Sequence, residues 1–469
     1  MTVRDDVMAV EAIMVRARQA QATYAASGSQ GLYDRAALAA GWAIVEPDRN
    51  RTLAELAVAT TGLGNVPDKI SKNHRKTLGL LRDIRNVATH GVVRDDPETG
   101  ITEITRPVGV VGAVVPSTNP AATPANNVIN ALKCGNAIVL SPSPRGVETC
   151  QRLLGFIHAE FDRIALDPDL VQMLPPPGSK AKTQRMLELS DMVVATGSQD
   201  NVRRAYSCGR PAIGVGIGNA SVIIDETADL AAAARKIAQS KTFDNATSCS
   251  SENAVIVVDA VREAFLEALG REGGAQVRET PALMARLFPE GRINPAIVAR
   301  SSERMLAELG LSGSLPPSTR FLAVETQGIG PEHPLSREKL SLVLSVYRAP
   351  DFAAAADTAH TILRHQGAGH SIGLHSADDA RAIELGRRMP VCRVIVNQAH
   401  CLATGGAFDN GMPFSLSMGC GTWGGNTIDD NLHWRHFVQT TRVVRPIPAR
   451  EPDLDEIFSE YWSVTGGDG

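Results

Sequence analysis

Apolar positions recur at helical spacing through residues 7–26 and 34–43, and the alanine-rich stretch near 54–59 and the stretch 68–90 predict further helices. At Arg106 the texture changes. The chain there reads PVGVVGAVVP, a continuous apolar run bounded by Pro107 and Pro116, which predicts a strand buried on both faces. A helical stretch at 126–132 leads to a second such strand, AIVLS from Ala137, closed by the prolines of SPSPRG. Helix 145–160, a strand near 169–173, the short strand from Met192 and a helix at 200–206 continue the alternation. It restarts after about residue 238 with AVIVV at 254–258, helix 260–270, FLAVE at 321–325, LVLSVYRA, SIGLHS and RVIVN at 393–397. Strand alternating with helix at this spacing is the mark of βαβ units and parallel sheets. The reading is an α/β chain of two tandem doubly wound domains, residues 1–237 and 238–430, followed by a tail at 431–469.

Composition narrows the partners. The 469 residues carry 47 basic and 51 acidic side chains, a net charge of −4 that gives no electrostatic footprint for nucleic acid. No run approaches the ~18 apolar residues of a membrane span, and Asp5 and Asp6 stand where a secretory leader would be basic. A cytoplasmic protein is expected. Aromatic residues are only 4%, which suits close packing of helices on a sheet through Ala, Gly and Val. The seven cysteines form no CxxC pair, and no HExxH is present. His433 and His436 share the segment HWRH with no third ligand near them in sequence, so no metal is expected. What is left to decide is whether one cysteine is a nucleophile.

Four segments could carry chemistry. Gly214-Val-Gly216-Ile-Gly218 imitates a dinucleotide fingerprint, but the apolar strand from Ser221 follows it where a helix is required. It reads as a bend where backbone packs closely against something. A better anion site is the strand from Met192 running into Thr196-Gly197-Ser198, since a helix beginning at Gln199 or Asp200 would offer free N–H groups; Ser198 as a plain N-cap fits equally. Pro116-Ser-Thr118-Asn119-Pro120 lies at the carboxyl end of its strand, where ligands of open parallel sheets bind, although an Asn there can be only a turn residue. Cys249 sits in the polar loop KTFDNATSCSSEN, as an accessible thiolate requires. Cys134, Cys150 and Cys392 lie in apolar or helical contexts and read as core residues, whereas Cys208, Cys401 and Cys420 lie in loops and stay open beside Cys249.

Taken in order, the T-N-P turn, the T-G-S loop, the glycine run and the cysteine loop resemble the aldehyde dehydrogenase superfamily. PVGVVGAVVPSTNP, SPSPRG, RPAIGVGIGN, IIDETADL, REKLS and MGCGTWGGN are similar to its CoA-acylating branch, with the likeness running from about residue 10 to 447. That resemblance implies Cys249 as nucleophile, and Asn119 with the Cys249 N–H as oxyanion hole. It implies Gly197 and Ser198 on the cofactor pyrophosphate and Glu338 on the nicotinamide ribose, with Pro116, Thr118, Ser141, Thr196 and Gly216 among the cofactor contacts. It also implies a small β oligomerisation flap, formed by strands before Arg106 (near 99–107) and by residues 436–447, and hence a homodimer or homotetramer.

One departure bears on the reaction. Hydrolytic members carry a glutamate in an E-L-G-G segment as base for the deacylating water, and the corresponding 214–219 stretch here has no acid. A thioester on Cys249 would then survive for CoA to take. Ser143 and Arg145, where the family meets the adenosine ribose, lean towards NADP, with NAD still open. The wording resembles members acting on sulfoacetaldehyde, and Asn397, His400 and Thr404 would suit an anionic tail. Acetaldehyde or propionaldehyde as substrate, reduction of an acyl phosphate, and a catalytically silent scaffold are the alternatives.

Overall fold

A computed structural model describes residues 3–466. Two parallel sheets form the framework. In the first, the strands Val171–Met173, Ala137–Pro142, Val110–Val115, Met192–Ala195 and Ala212–Gly214 lie side by side in that order, all parallel. Helices cover both faces, so every residue of Val110–Val115, Ala137–Pro142 and Met192–Ala195 is buried. That burial is why these strands are continuous apolar runs rather than alternating ones. Winding goes out one way from Val110–Val115, then returns to place Met192–Ala195 on its other side. The switch in direction opens a crevice between the carboxyl ends of those two neighbours, and 116–119 and 196–198 emerge there.

The second sheet has seven parallel strands in the order Gly274–Arg278, Phe321–Glu325, Val343–Ala349, Glu252–Val258, Ala220–Ile224, Ile372–His375 and Val394–Val396. The strand Ala220–Ile224 therefore changes sheets before residue 237, the boundary expected from the sequence. The crossing occupies only 215–219, where successive glycines let the backbone pass without a helix. Because the chain goes directly from the carboxyl end of one strand to the amino end of the next, the two sheets meet end to end. Cys249 and His370 lie just before strands Glu252–Val258 and Ile372–His375, at the amino-end edge of the second sheet that faces the first.

A third, antiparallel sheet projects from this body. Gly91–Asp96 and Ile101–Pro107 form a hairpin, and Val438–Val444 pairs with the latter's free side. Asp96 caps the turn by accepting from the N–H groups of Glu98 and Thr99, and Gly100 takes a φ of +68°. These are the flap strands expected from the family resemblance. The last helix, Leu454–Thr465, buries none of its residues and exposes Leu454, Ile457, Phe458, Tyr461 and Val464. Among the described residues no helix is long and apolar enough to cross a membrane.

Candidate active site

The loop carrying Cys249 begins in an unfavourable backbone. Asp244, Asn245 and Ala246 have successive φ values of +50°, +52° and +60°, a left-handed run that L-residues avoid unless neighbours enforce it. Asp244 supplies the enforcement. Its carboxylate accepts from the Asn65 N–H at 2.9 Å, from Lys69 Nζ at 3.1 Å, from Lys72 Nζ at 2.5 Å and from Thr247 Oγ1 at 2.8 Å. Asn245 reaches back to the Gly64 carbonyl at 3.0 Å. Burial alone would raise the Asp244 pKa, but Lys72 and Lys69 outweigh it and hold the carboxyl below its ordinary value. The strained turn is thus pinned to the helix Val66–Ile84, and it delivers Cys249 to the crevice.

That crevice, about 550 Å³, brings together Cys249, Asn119, Pro116, Thr118, Ser143, Thr196, Gly197, Ser198, Gly216 and Glu338. Lys72 donates to Asn119 Oδ1 at 2.8 Å, so the Asn119 carboxamide is held with its NH₂ end free to donate. Ser198 caps the helix Gln199–Tyr206 by accepting from the Asn201 N–H. Gly197 has φ +155°, and the nearest atom to a Cβ placed there would be 3.9 Å away. Its backbone therefore stands open to the crevice beside the helix N-terminus. Ser143 Oγ is buried without a partner. Small residues, free N–H groups and an orphan hydroxyl fit a nucleotide diphosphate and its ribose.

His370 was invisible in the sequence. Its Nε2 lies 3.3 Å from Cys249 Sγ, and its Nδ1 lies 2.7 Å from Ser371 Oγ. With Nδ1–H donating to Ser371, Nε2 accepts from the thiol. Arg393 fixes the segment by donating to the His370 carbonyl at 3.1 Å and the Gly419 carbonyl at 2.9 Å. Burial, and then the Arg393 charge, lower the His370 pKa to about 3, so the ring is neutral. Burial first and Glu338 second push the Cys249 thiol up to about 12. Burial raises Glu338 itself to about 8, which keeps that carboxyl protonated near neutral pH.

The glycine stretch lies against Cys249. A Cβ on Gly218 would fall 2.0 Å from the Cys249 carbonyl oxygen, and one on Gly216 would meet Cys420 Sγ at 2.6 Å. Only glycine allows this approach at Gly218. The run is close backbone packing and not a dinucleotide fingerprint.

Five expected contacts lie elsewhere. Ser141 is buried with its hydroxyl on Thr183 Oγ1 at 2.9 Å, away from the crevice lining. Arg145 is exposed on the turn Pro144–Gly146, outside the lining, with no ion-pair partner among the described residues. Asn397 bonds both ways with the Ser376 backbone, at 3.1 and 2.7 Å. His400 is 1% exposed, with Nδ1 on the Ser250 carbonyl at 2.8 Å, and Thr404 Oγ1 donates to the His400 carbonyl at 2.7 Å. His400 braces the cysteine loop from behind and Thr404 holds His400, and none of the three lines the crevice. Arg75, Lys76, Cys401, Gly405, Ser415, Leu416 and Met418 line it instead.

The third neighbour missing from HWRH is Asp430, which the fold brings within 4.8 Å of the His433 and His436 nitrogens. The Arg435 N–H donates to His433 Nδ1 and the His433 N–H donates to His436 Nδ1. His433 Nε2 and His436 Nε2 both face the Asp430 carboxylate, at 2.9 and 3.2 Å.

With this geometry in place, the comparisons with known proteins become decisive. The aldehyde dehydrogenase family model matches residues 3–305. The chain belongs to the aldehyde dehydrogenase family. Over 98% of its length, and 93% of the relative's, it is 55% identical to the sulfoacetaldehyde dehydrogenase (acylating) of Cupriavidus necator. The crystal structure of an acetylating aldehyde dehydrogenase from Geobacillus thermoglucosidasius superposes with a TM-score of 0.90 at 30% identity, covering 96% of this chain and 99% of that one. A propionaldehyde dehydrogenase from Rhodopseudomonas palustris, solved with bound CoA and an acylated cysteine, gives a TM-score of 0.83 at 25% identity, covering 93% and 97%. Like these family members, the chain is an oxidoreductase acting on aldehydes.

Proposed function

We propose that this aldehyde dehydrogenase oxidises sulfoacetaldehyde to sulfoacetyl-CoA, with NADP or NAD as hydride acceptor and CoA as acyl acceptor. The observation that carries the acylating assignment is the acid-free 214–219 backbone lying directly on Cys249. No carboxylate there can activate water, and Glu338, protonated near neutral pH, does not replace it. The 55% identity to an enzyme of that name supports the substrate.

The residues divide the work as follows. His370 Nε2 takes the proton from Cys249, whose thiolate attacks the aldehyde carbon. Asn119, oriented by Lys72, and the Cys249 N–H stabilise the resulting oxyanion. One such donor commonly contributes about 10²–10³ in rate. Thr196, Gly197, Ser198 and Glu338 would hold a nicotinamide nucleotide, which would supply the hydride acceptor. Loss of hydride from the hemithioacetal leaves a thioester on Cys249. His370, having released its proton to solvent, next takes the proton of the CoA thiol. The CoA sulfur attacks the thioester, and Cys249 leaves and is reprotonated by His370. Arg145, exposed and unpaired beside Ser143, suits the 2′-phosphate that only NADP carries.

The flap and the apolar face of Leu454–Thr465 support a homodimer or homotetramer, and seven free cysteines accord with a reducing cytoplasm. Steady-state assays with sulfoacetaldehyde, acetaldehyde and propionaldehyde, each with CoA and either cofactor, test the reading. Sulfoacetaldehyde should give the highest kcat/KM and an acyl-CoA product. Equal or better turnover of the uncharged aldehydes would overturn the substrate assignment.

A further inference from the structure

Helix Val66–Ile84 carries an arrangement that the chemistry above uses only in part. Lys69, Lys72 and Lys76 fall on one face at spacings of three and four, and all are at most 5% exposed. Arg75 stands beside them, partly buried. Asp244 pairs with Lys69 and Lys72. Among the described residues no carboxylate forms an ion pair with Arg75 or Lys76. Burying a cation without a counter-charge is costly, and such groups are normally paired or exposed.

Both side chains are fixed at the crevice wall by carbonyls of a distant loop. Arg75 Nη1 donates to Leu402 O at 3.0 Å and Gly406 O at 3.4 Å, and Lys76 Nζ donates to Gly405 O. Those bonds do not exhaust the donors. Arg75 Nε is buried with no partner, and an ammonium has three hydrogens. Arg75, Lys76, Gly405, Ser415 and Leu416 line the same crevice as Cys249. Lys76 sits one helical turn beyond Lys72, which touches both Asn119 Oδ1 and Thr247 Oγ1 at 2.8 and 3.0 Å. The unpaired cations therefore stand beside the oxyanion hole, and not out along a long ligand.

We infer that Arg75 and Lys76 form the receptor for the sulfonate of the aldehyde substrate, an inference that rests on the reading above. A sulfonate two bonds from the carbonyl carbon needs charged donors immediately next to the oxyanion hole, and that is where these two are held. A single tetrahedral anion spans the partnerless Nε of Arg75 and the spare hydrogens of Lys76. The anionic groups of CoA cannot be the target, because the pantetheine arm separates them from the reacting sulfur. Burial, then the neighbouring Arg75 charge, hold the Lys76 pKa far below that of an ordinary lysine, so an arriving anion would favour its protonated form. This assignment replaces Asn397, His400 and Thr404 as the anion-binding group.

Arg75→Gln and Lys76→Gln, each keeping a long polar side chain, test the claim through selectivity. The ratio of kcat/KM for sulfoacetaldehyde to that for acetaldehyde should fall about 100-fold in each, as expected for a lost charge-assisted contact, while the KM for CoA stays within about twofold. In the wild type, ethanesulfonate should inhibit acetaldehyde oxidation competitively, and 1-propanol at equal concentration should not. That arm stands even if a variant fails to fold. An unchanged selectivity ratio in folded variants, or ethanesulfonate no better than 1-propanol, would overturn the assignment. Wild-type enzyme that ignores sulfoacetaldehyde altogether would instead refute the substrate reading, with Arg75 and Lys76 then free of this role.

Discussion

The two walls of the crevice bind by different physics. One wall is made of strand ends and a helix N-terminus, where Pro116, Thr196, Gly197 and Ser198 present small groups and backbone N–H donors. The other is a single helix whose Lys72, Arg75 and Lys76 bring basic side chains to the same space. Backbone donors need no counter-ion and suit a large nucleotide spread over many contacts. Buried cations are costly to hold and repay that only with a small, charged ligand or a carboxylate such as Asp244. Cys249 lies where the walls meet, and its strained loop belongs structurally to the charged side.

Substitutions should separate the walls. Cys249→Ala, at their junction, should lower aldehyde oxidation by more than about 10⁴, while cofactor affinity, measured by fluorescence titration, stays within about twofold. Asn119→Ala should reduce kcat by about 10²–10³ with little change in cofactor KM. On the charged wall, Asp244→Ala leaves Lys69 and Lys72 uncompensated, and chemical denaturation should show a loss of about 3–5 kcal/mol. On the exposed turn outside the crevice, Arg145→Ala should raise the KM for NADP about 10–100-fold and leave that for NAD nearly unchanged. Equal effects on both cofactors would remove Arg145 from 2′-phosphate recognition.

The smallest effect concerns the thiol itself. Burial and Glu338 keep the proton on Cys249, so its thiolate fraction should climb with pH. Iodoacetamide alkylation, read against a Cys249→Ala control, should accelerate about tenfold per pH unit between pH 7 and 9. Above about pH 8, where Glu338 ionises, Glu338→Gln removes a negative charge that favours the thiol, and should speed alkylation severalfold at fixed pH. A flat profile would show that some other group already ionises the cysteine.

Legibility in the sequence followed the same division. The wall of strand ends is written locally: strands buried on both faces are continuous apolar runs, and Thr196-Gly197-Ser198 and Asn119 sit at their ends. Cys249 stood out for its polar loop. The charged wall is not local. PDKISKNHRKT reads as a solvated helix face, and only loop 401–418, more than 300 residues later, buries it. His370 acquires its meaning from a contact with a residue 121 positions away. The Asn397 side chain turns to the Ser376 backbone, and those of His400 and Thr404 turn into the packing behind the Cys249 loop. The change of sheet before residue 237 is not legible, because the strand Ala220–Ile224 is apolar like its predecessors, and apolar sequence does not say which sheet it joins.

The most direct test of the acylating account is a burst measurement without CoA. Enzyme, oxidised cofactor and aldehyde are mixed, and reduced cofactor is followed by its absorbance. The account predicts a burst no larger than the number of active sites and then near silence, because nothing in the 214–219 stretch activates water. Adding CoA should start steady turnover and release an acyl-CoA. Steady production of reduced cofactor and free acid in the absence of any thiol would contradict it.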